Sequence, residues 1–232
     1  SEEVLDLRIA CLDDRHREFT ALVEVLAEAD DATIANAARA TASLGSLDAC
    51  SNVAQLKRGL VPPPEKAKQQ VENARERLAR ARMLDEAGSY AKGLAIAEPL
   101  LEEALELEYV PLTVEVHNVL GALTSHLGDW AGAEEHYESA YFAAMGGVHP
   151  EAAAKAAVTL IKITGSPFAM GRREDGLRWN QHAEGAVRRL DDGGFLNAIR
   201  LDSLGHIQSL GGDTDRAVEY LEESVKTLEE LR

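Results

Sequence analysis

The stretch Leu120–Ala140, LGALTSHLGDWAGAEEHYESA, sets small residues among helix formers at regular intervals. A Leu-Gly pair opens it, Gly128 interrupts it, Trp130 follows, and Ala133 and Ala140 come after. This predicts two helices joined by a tight turn. Gly128 suits a helix end that leaves in left-handed backbone, which other residues resist. Gly121 leaves room for a neighbouring helix, Trp130 fills the hairpin corner, and Ala133 and Ala140 mark where helices touch, with Tyr137 packed between them. The charged residues fall on the remaining, wet side. Glu134, Glu135 and His136 are consecutive, so they point in different directions around a helix and do not converge on one metal ion.

The arrangement recurs. Three further segments align on a turn glycine: ARMLDEAGSYAKGLAIAEPLLEEA, FAMGRREDGLRWNQHAEGA and LGHIQSLGGDTDRAVEYLEES. The glycines are Gly88, Gly128, Gly171 and Gly212, spaced 40, 43 and 41 residues apart. Five residues beyond each sits a small residue, Gly93, Ala133, Gly176 or Ala217, and seven beyond that Leu100, Ala140, Ala183 or Ser224. A fixed period near 40 with helical patterning predicts stacked helical hairpins. The third unit is irregular: Arg173 stands where the others carry Tyr90 or Trp130, and GSPFAM interrupts it. Pro99 should kink the second helix of the first unit. His149-Pro150 opens the third unit, and Asp191-Asp192-Gly193-Gly194 links it to the fourth.

Residues 1–60 read as an N-terminal helical segment. Leu5, Ile9, Leu12, His16, Phe19, Val23 and Leu26 are spaced 4, 3, 4, 3, 4, 3, a heptad seam with one polar residue. Packing of this seam on its own chain is the first expectation, and a homodimer is the alternative. A second helix fits Asp31–Leu44, with Asp30 or Asp31 as N-cap and Gly45 as the stop, and a third fits Leu47–Leu60. Residues 61–69, with Pro62, Pro63 and Pro64, form a stiff spacer, because proline removes an N–H donor and clashes with the preceding turn. Cys11 and Cys50 have no metal-ligand spacing and read first as buried free thiols. A single disulfide is the alternative, and it would imply an oxidising compartment.

Composition agrees with an all-α chain: 45% apolar residues, 5% aromatic and only seven prolines in 232 residues. The net charge of −16 repels phosphate backbones and anionic lipid, so neither nucleic acid nor membrane insertion is expected of this segment. The chain opens without Met in helical text, which reads as a piece of a longer protein.

With its Leu-Gly pair, turn glycine, following aromatic and small crossing residue, the region 70–232 resembles the tetratricopeptide repeat, although these units exceed that family's usual 34 residues. The resemblance implies a right-handed α-solenoid of four long hairpins, at about 70–110, 111–148, 149–192 and 193–232. It also implies that the first helix of each unit lines a concave groove. By position, that groove would present Arg75 and Arg82, then Asn118, Ser125 and His126, then Lys155 and Lys162, then Asp202 and His206. Polar and basic side chains there would grip an extended peptide or its carboxylate.

The N-terminal text is similar to the region that leads into the repeats of large bacterial serine/threonine protein kinases. The matching residues are Leu5-Asp6-Leu7-Arg8, Cys11-Leu12-Asp13, Arg15, Leu22 and Leu26, then Leu47, Cys50 and Leu56. This implies a non-catalytic C-terminal sensor or scaffold region, on the far side of the membrane from the kinase domain. Outside such a parent the chain would be cytoplasmic. No phosphate loop, catalytic loop, nucleophile elbow or metal-binding helix motif occurs in it, so no catalysis and no cofactor are expected of these residues. Two function classes follow. One is a scaffold that binds a protein or peptide in the groove; the other is a structural dimerisation module built on residues 5–26. Trp130 and Trp179 read as packing residues, Glu102, Glu103, Glu106 and Glu108 as a solvated face, and the Arg172-Arg173 and Arg188-Arg189 pairs as surface charge.

Overall fold

A computed structural model of the chain describes residues 2–57, 62–147, 149–190 and 194–231. Among the described residues it is all helix, with no strand. The contacts divide it into two compact units, residues 1–127 and 128–232. No described helix is long and apolar enough to cross a membrane.

The first unit holds α1 (Glu2–Ala27), α2 (Asp31–Ala42), a 3-10 turn (Leu47–Ser51), α3 (Val53–Leu56), a 3-10 turn (Glu65–Ala67), α4 (Lys68–Glu86), α5 (Tyr90–Glu106) and α6 (Val110–His126). α4 packs on α5, α5 on α6, and α4 also reaches α6. Their shared core contains Val71, Leu78, Leu100, Leu112, Val116 and Leu120, all essentially inaccessible. At Gly93 a Cβ would come within 2.8 Å of Leu123 Cδ2 and 2.9 Å of the Ala81 carbonyl oxygen, so the small residue sets how close α5 lies to α4. α5 continues through Pro99 as one helix. α2 starts on an Asp30 cap, whose carboxylate accepts from the Thr33 N–H and hydroxyl, each at 2.9 Å.

Four N-terminal expectations change. The heptad seam does not pack on its own chain: Leu5 and Phe19 are 57% and 56% exposed, and Ile9, Leu12 and Val23 are exposed as well. α1 carries a second stripe about a third of a turn away, and that stripe is the covered one. Its Ala21, Leu22 and Val25 bury against Ala40, Ala79, Met83 and Leu84. The free-thiol expectation is replaced by a Cys11–Cys50 disulfide, with a Cα–Cα distance of 5.6 Å across 39 positions. The third helix is a 3-10 turn, capped where the Ser46 hydroxyl oxygen accepts from the Asp48 N–H at 3.1 Å, followed by the short α3. The rest of that expectation, residues 58–60, and the link residues 191–193 lie outside the described residues. α2 stops at a Ser43 cap, two residues short of Gly45.

The second unit holds α7 (Trp130–Gly146), α8 (Pro150–Gly165), α9 (Arg173–Val187), α10 (Gly194–Leu210) and α11 (Thr214–Glu230). α8 packs on α7, α9 and α10, and α10 packs on α11. Contact with the next helix and the one after it recurs in both units. Pro150 begins α8, where its missing N–H costs nothing. The α8–α9 crossing runs through Gly176, where a Cβ would lie 2.7 Å from the Gly165 Cα. The glycines described with positive φ include Gly88, Gly128, Gly171 and Gly212, at 78°, 82°, 68° and 84°. These are the four that the repeat alignment picked out. The small crossing positions Gly93, Ala133, Gly176 and Ala217 are all buried, as are Leu100, Ala140, Ala183 and Ser224.

The irregular third turn has a definite shape. α8 ends at Gly165, six residues before Gly171, whereas α4 and α10 end two residues before their turn glycines. The extra residues close on themselves: the Gly171 N–H donates to the Ser166 carbonyl at 2.9 Å and the Arg172 N–H to the Thr164 carbonyl at 2.7 Å. The insertion therefore projects as a small loop with Phe168 on it, and α9 still starts in register.

Candidate functional site

In the first unit the expected groove residues are mostly engaged by their own chain. Arg75 forms a two-pronged bond with Glu115, from Nε at 3.2 Å and Nη2 at 2.8 Å, and its guanidinium lies 5.8 Å from the Tyr109 ring centre. Burial works against that guanidinium's charge, but Glu115 outweighs it and holds the pKa above the ordinary arginine value. α1 lies alongside α4, and Arg17 pairs with Glu72 of α4 and with Asp14. The result is a cleft of about 210 Å³ walled by charges of both signs, among them Asp14, Arg17, Glu18, Arg75, Arg82 and Glu115. Arg82 is half-buried in this wall.

Asn118 and Ser125 are half-buried on α6, and the Ser125 hydroxyl donates to the Ala122 carbonyl at 2.7 Å. His126 is half-exposed at the end of α6. Its Nδ1 lies 2.7 Å from the Asp85 carboxylate, and its ring stacks on Tyr90 with centres 4.8 Å apart. Asp85 is only 5% exposed. Its hydrogen bond raises the His126 pKa against the opposing effect of burial. His126 thus ties the end of α6 to the end of α4 and the start of α5.

The second unit brings three of the expected residues together. Lys162 of α8 and Asp202 and His206 of α10 line one cavity of about 270 Å³. Its other walls are Ser166, Phe168, Ser203, Ile207 and Leu210. The His206 Nε2 and the Asp202 carboxylate are one helical turn apart, at 3.6 Å. The Lys162 side chain is exposed and makes no ion pair among the described residues. Phe168 is 82% exposed, a large apolar ring held at the rim by the inserted loop. A cavity with an apolar floor, Lys162 and Asp202 as its charged walls and one apolar rim suits a ligand whose carboxylate reaches Lys162 and which carries an apolar side chain beside it. Lys155 lies two turns earlier on α8 and pairs with Glu151 at 2.7 Å, outside the cavity.

Phe168, Ser166, Ile207 and Leu210 were not among the expected site residues. The signal was GSPFAM itself, which reads as damage to the repeat but places a phenylalanine in a loop directly after α8. Elsewhere in this unit the aromatics pack: Trp179 is buried edge-on against Tyr141 at 5.3 Å, and the Tyr141 hydroxyl meets His182 Nδ1 at 3.2 Å. Arg172 pairs with Glu134 and Asp175, and Arg173 donates to Gln208. Among the described residues no group of three or more His, Cys, Asp or Glu side chains is placed to hold a metal ion. Comparison with known proteins finds no matching family model, no matching curated protein and no matching solved structure.

Proposed function

We propose that this chain is a peptide-binding scaffold whose α8/α10 cavity takes an extended segment ending in, or bearing, a carboxylate next to an apolar side chain. The observation that carries this reading is the convergence of Lys162, His206 and the exposed Phe168 on one cavity. In this reading Lys162 supplies the charge, His206 and Ser166 supply hydrogen bonds, and Phe168 closes over the apolar side chain. Asp202 lies 3.6 Å from the His206 Nε2 and opposes the ligand's carboxylate, so Lys162 has to outweigh it.

The finer architecture belongs to the same proposal: four hairpins of tetratricopeptide type, stacked as a right-handed solenoid. Four left-handed turn glycines at a period near 40, with small residues buried at matching offsets, support it. The proposed parent is a bacterial serine/threonine kinase, with this region outside the cytoplasm. The Cys11–Cys50 bond supports an oxidising compartment.

The test is selection from a library of displayed peptides with free C-termini, with the C-terminally amidated forms of the winners as controls. Enriched peptides should lose affinity with K162A and F168A, and R82A should leave them bound. No enrichment, or binding indifferent to both substitutions, would remove the α8/α10 site.

A further inference from the structure

We infer that the outer stripe of α1 is covered by a second copy of this chain, as a parallel, in-register two-helix coiled coil. The two stripes of α1 have different fates. The inner one is buried against α2 and α4, while the outer one leaves Leu5, Ile9, Leu12, Phe19, Val23 and Leu26 exposed on a single helix. Single exposed apolar residues are ordinary, but a run at 4-3 spacing, interrupted by His16 alone, forms a sticky seam.

The flanking charges select the occupant and its direction. With Ile9, His16 and Val23 at a, and Leu5, Leu12, Phe19 and Leu26 at d, the g positions hold Arg8, Arg15 and the inward-buried Leu22, and the e positions hold Asp6, Asp13, Thr20 and Ala27, so the charges flank the N-terminal half of the seam. In a parallel pair, g of one heptad faces e of the next on the other helix. Arg8 then meets Asp13 of the second copy, twice by symmetry. Both are exposed, and neither forms an ion pair among the described residues. An antiparallel pair would set g against g and e against e, bringing arginine towards arginine and aspartate towards aspartate.

His16 is exposed at the central a position. In the parallel pair it meets its own counterpart on the axis, and a polar a layer fixes register and strand number at a cost in stability. The seam is only about three heptads long, the lower edge for a coiled coil that must fold as it pairs. α1 need not do that. Its inner stripe and the Cys11–Cys50 bond already hold it, so pairing carries little ordering cost. This inference rests on α1 alone and stands or falls separately from the α8/α10 site.

Sedimentation of the whole chain over a wide concentration range tests it. A concentration-dependent dimer is expected, and F19D should convert it to a monomer that melts where the wild-type chain melts when diluted to monomer, since Phe19 is 56% exposed and pairing itself raises the dimer's melting temperature by mass action. A monomer at every concentration, or a dimer that survives F19D, would overturn it. R8D and D13R should each weaken self-association and recover it when mixed. Wild-type-like association of R8D alone would overturn the flank pairing. V23C, at an a layer, should crosslink two copies on oxidation, and a dimer that fails to crosslink would overturn the parallel register. H16I should tighten the dimer, and unchanged association would take His16 off the axis.

Discussion

The α4/α6 face of the first unit and the α8/α10 face of the second are built alike and end up differently. Each joins two helices one hairpin apart, and each offers basic residues. On the first, Glu115 meets Arg75 and Glu72 meets Arg17, so charge is neutralised within the fold. On the second, Lys162 is left without an ion pair among the described residues, and Phe168 is left without cover. A basic residue on such a helix face is therefore a weak sign of a ligand. What distinguishes the second face is the side chains that its own chain does not satisfy.

That contrast can be broken by experiment. The largest effect should come from the disulfide, which lies wholly in the first unit. Reduction removes a constraint worth about 2–4 kcal/mol in the chain-entropy picture. Both tryptophans, Trp130 and Trp179, lie in the second unit, so reduction should lower the far-UV circular dichroism transition and leave the tryptophan fluorescence transition in place. Coincident shifts would show that the units melt together. Next, G176A drives a Cβ to within 2.7 Å of Gly165 Cα and 3.0 Å of the Ile161 carbonyl oxygen. It should cost about 1–3 kcal/mol and move the fluorescence midpoint in denaturant first.

Smaller effects concern the faces themselves. K162A and F168A should each weaken a selected peptide roughly tenfold, about 1.4 kcal/mol, with no change in melting. R82A, in the neutralised cleft, should not weaken it. The smallest effect is pH dependence from His126. Its pKa is raised in the folded chain, so its contribution is complete below the unfolded value near 6.5 and disappears as pH rises through the folded value. The imidazole is half-exposed, so the change should stay below about 1 kcal/mol. H126Q should flatten the first unit's stability between neutral and mildly alkaline pH, and an unchanged slope would remove His126 as the source.

Much of this was legible in the residues. The glycine alignment located the four turn glycines with positive φ and the buried crossing positions, but not Glu108, which takes a φ of 50° in the α5–α6 turn, because backbone conformation and close approach demand small residues only at the aligned offsets. Which stripe of α1 is covered was not legible. The helix is apolar on two faces, and periodicity identifies a face without saying what lies opposite. The Cys11–Cys50 pairing depends on how α1 meets the Leu47–Ser51 turn, a tertiary contact that spacing does not encode. His126 was read as groove lining because the helical register puts it there, but its partner Asp85 is 41 residues away. The cavity is hidden in the sequence for a third reason: its rim comes from an insertion, and an insertion looks like noise when units are compared with one another.

The disulfide also has a mechanical meaning. If the chain is held at its N-terminal end, tension enters along α1 and reaches Cys11 first. There the bond to Cys50 offers a covalent shortcut past the 38 intervening residues, given a separation of 39. Load then bypasses α2 and the second half of α1. At about 3.3–3.6 Å per extended residue the shielded segment would otherwise pay out roughly 130 Å. Oxidised and reduced molecules pulled from their ends should differ by that contour length. An oxidised chain anchored at this end would be a stiffer tether, with the exposed seam of α1 upstream of Cys11 taking the strain.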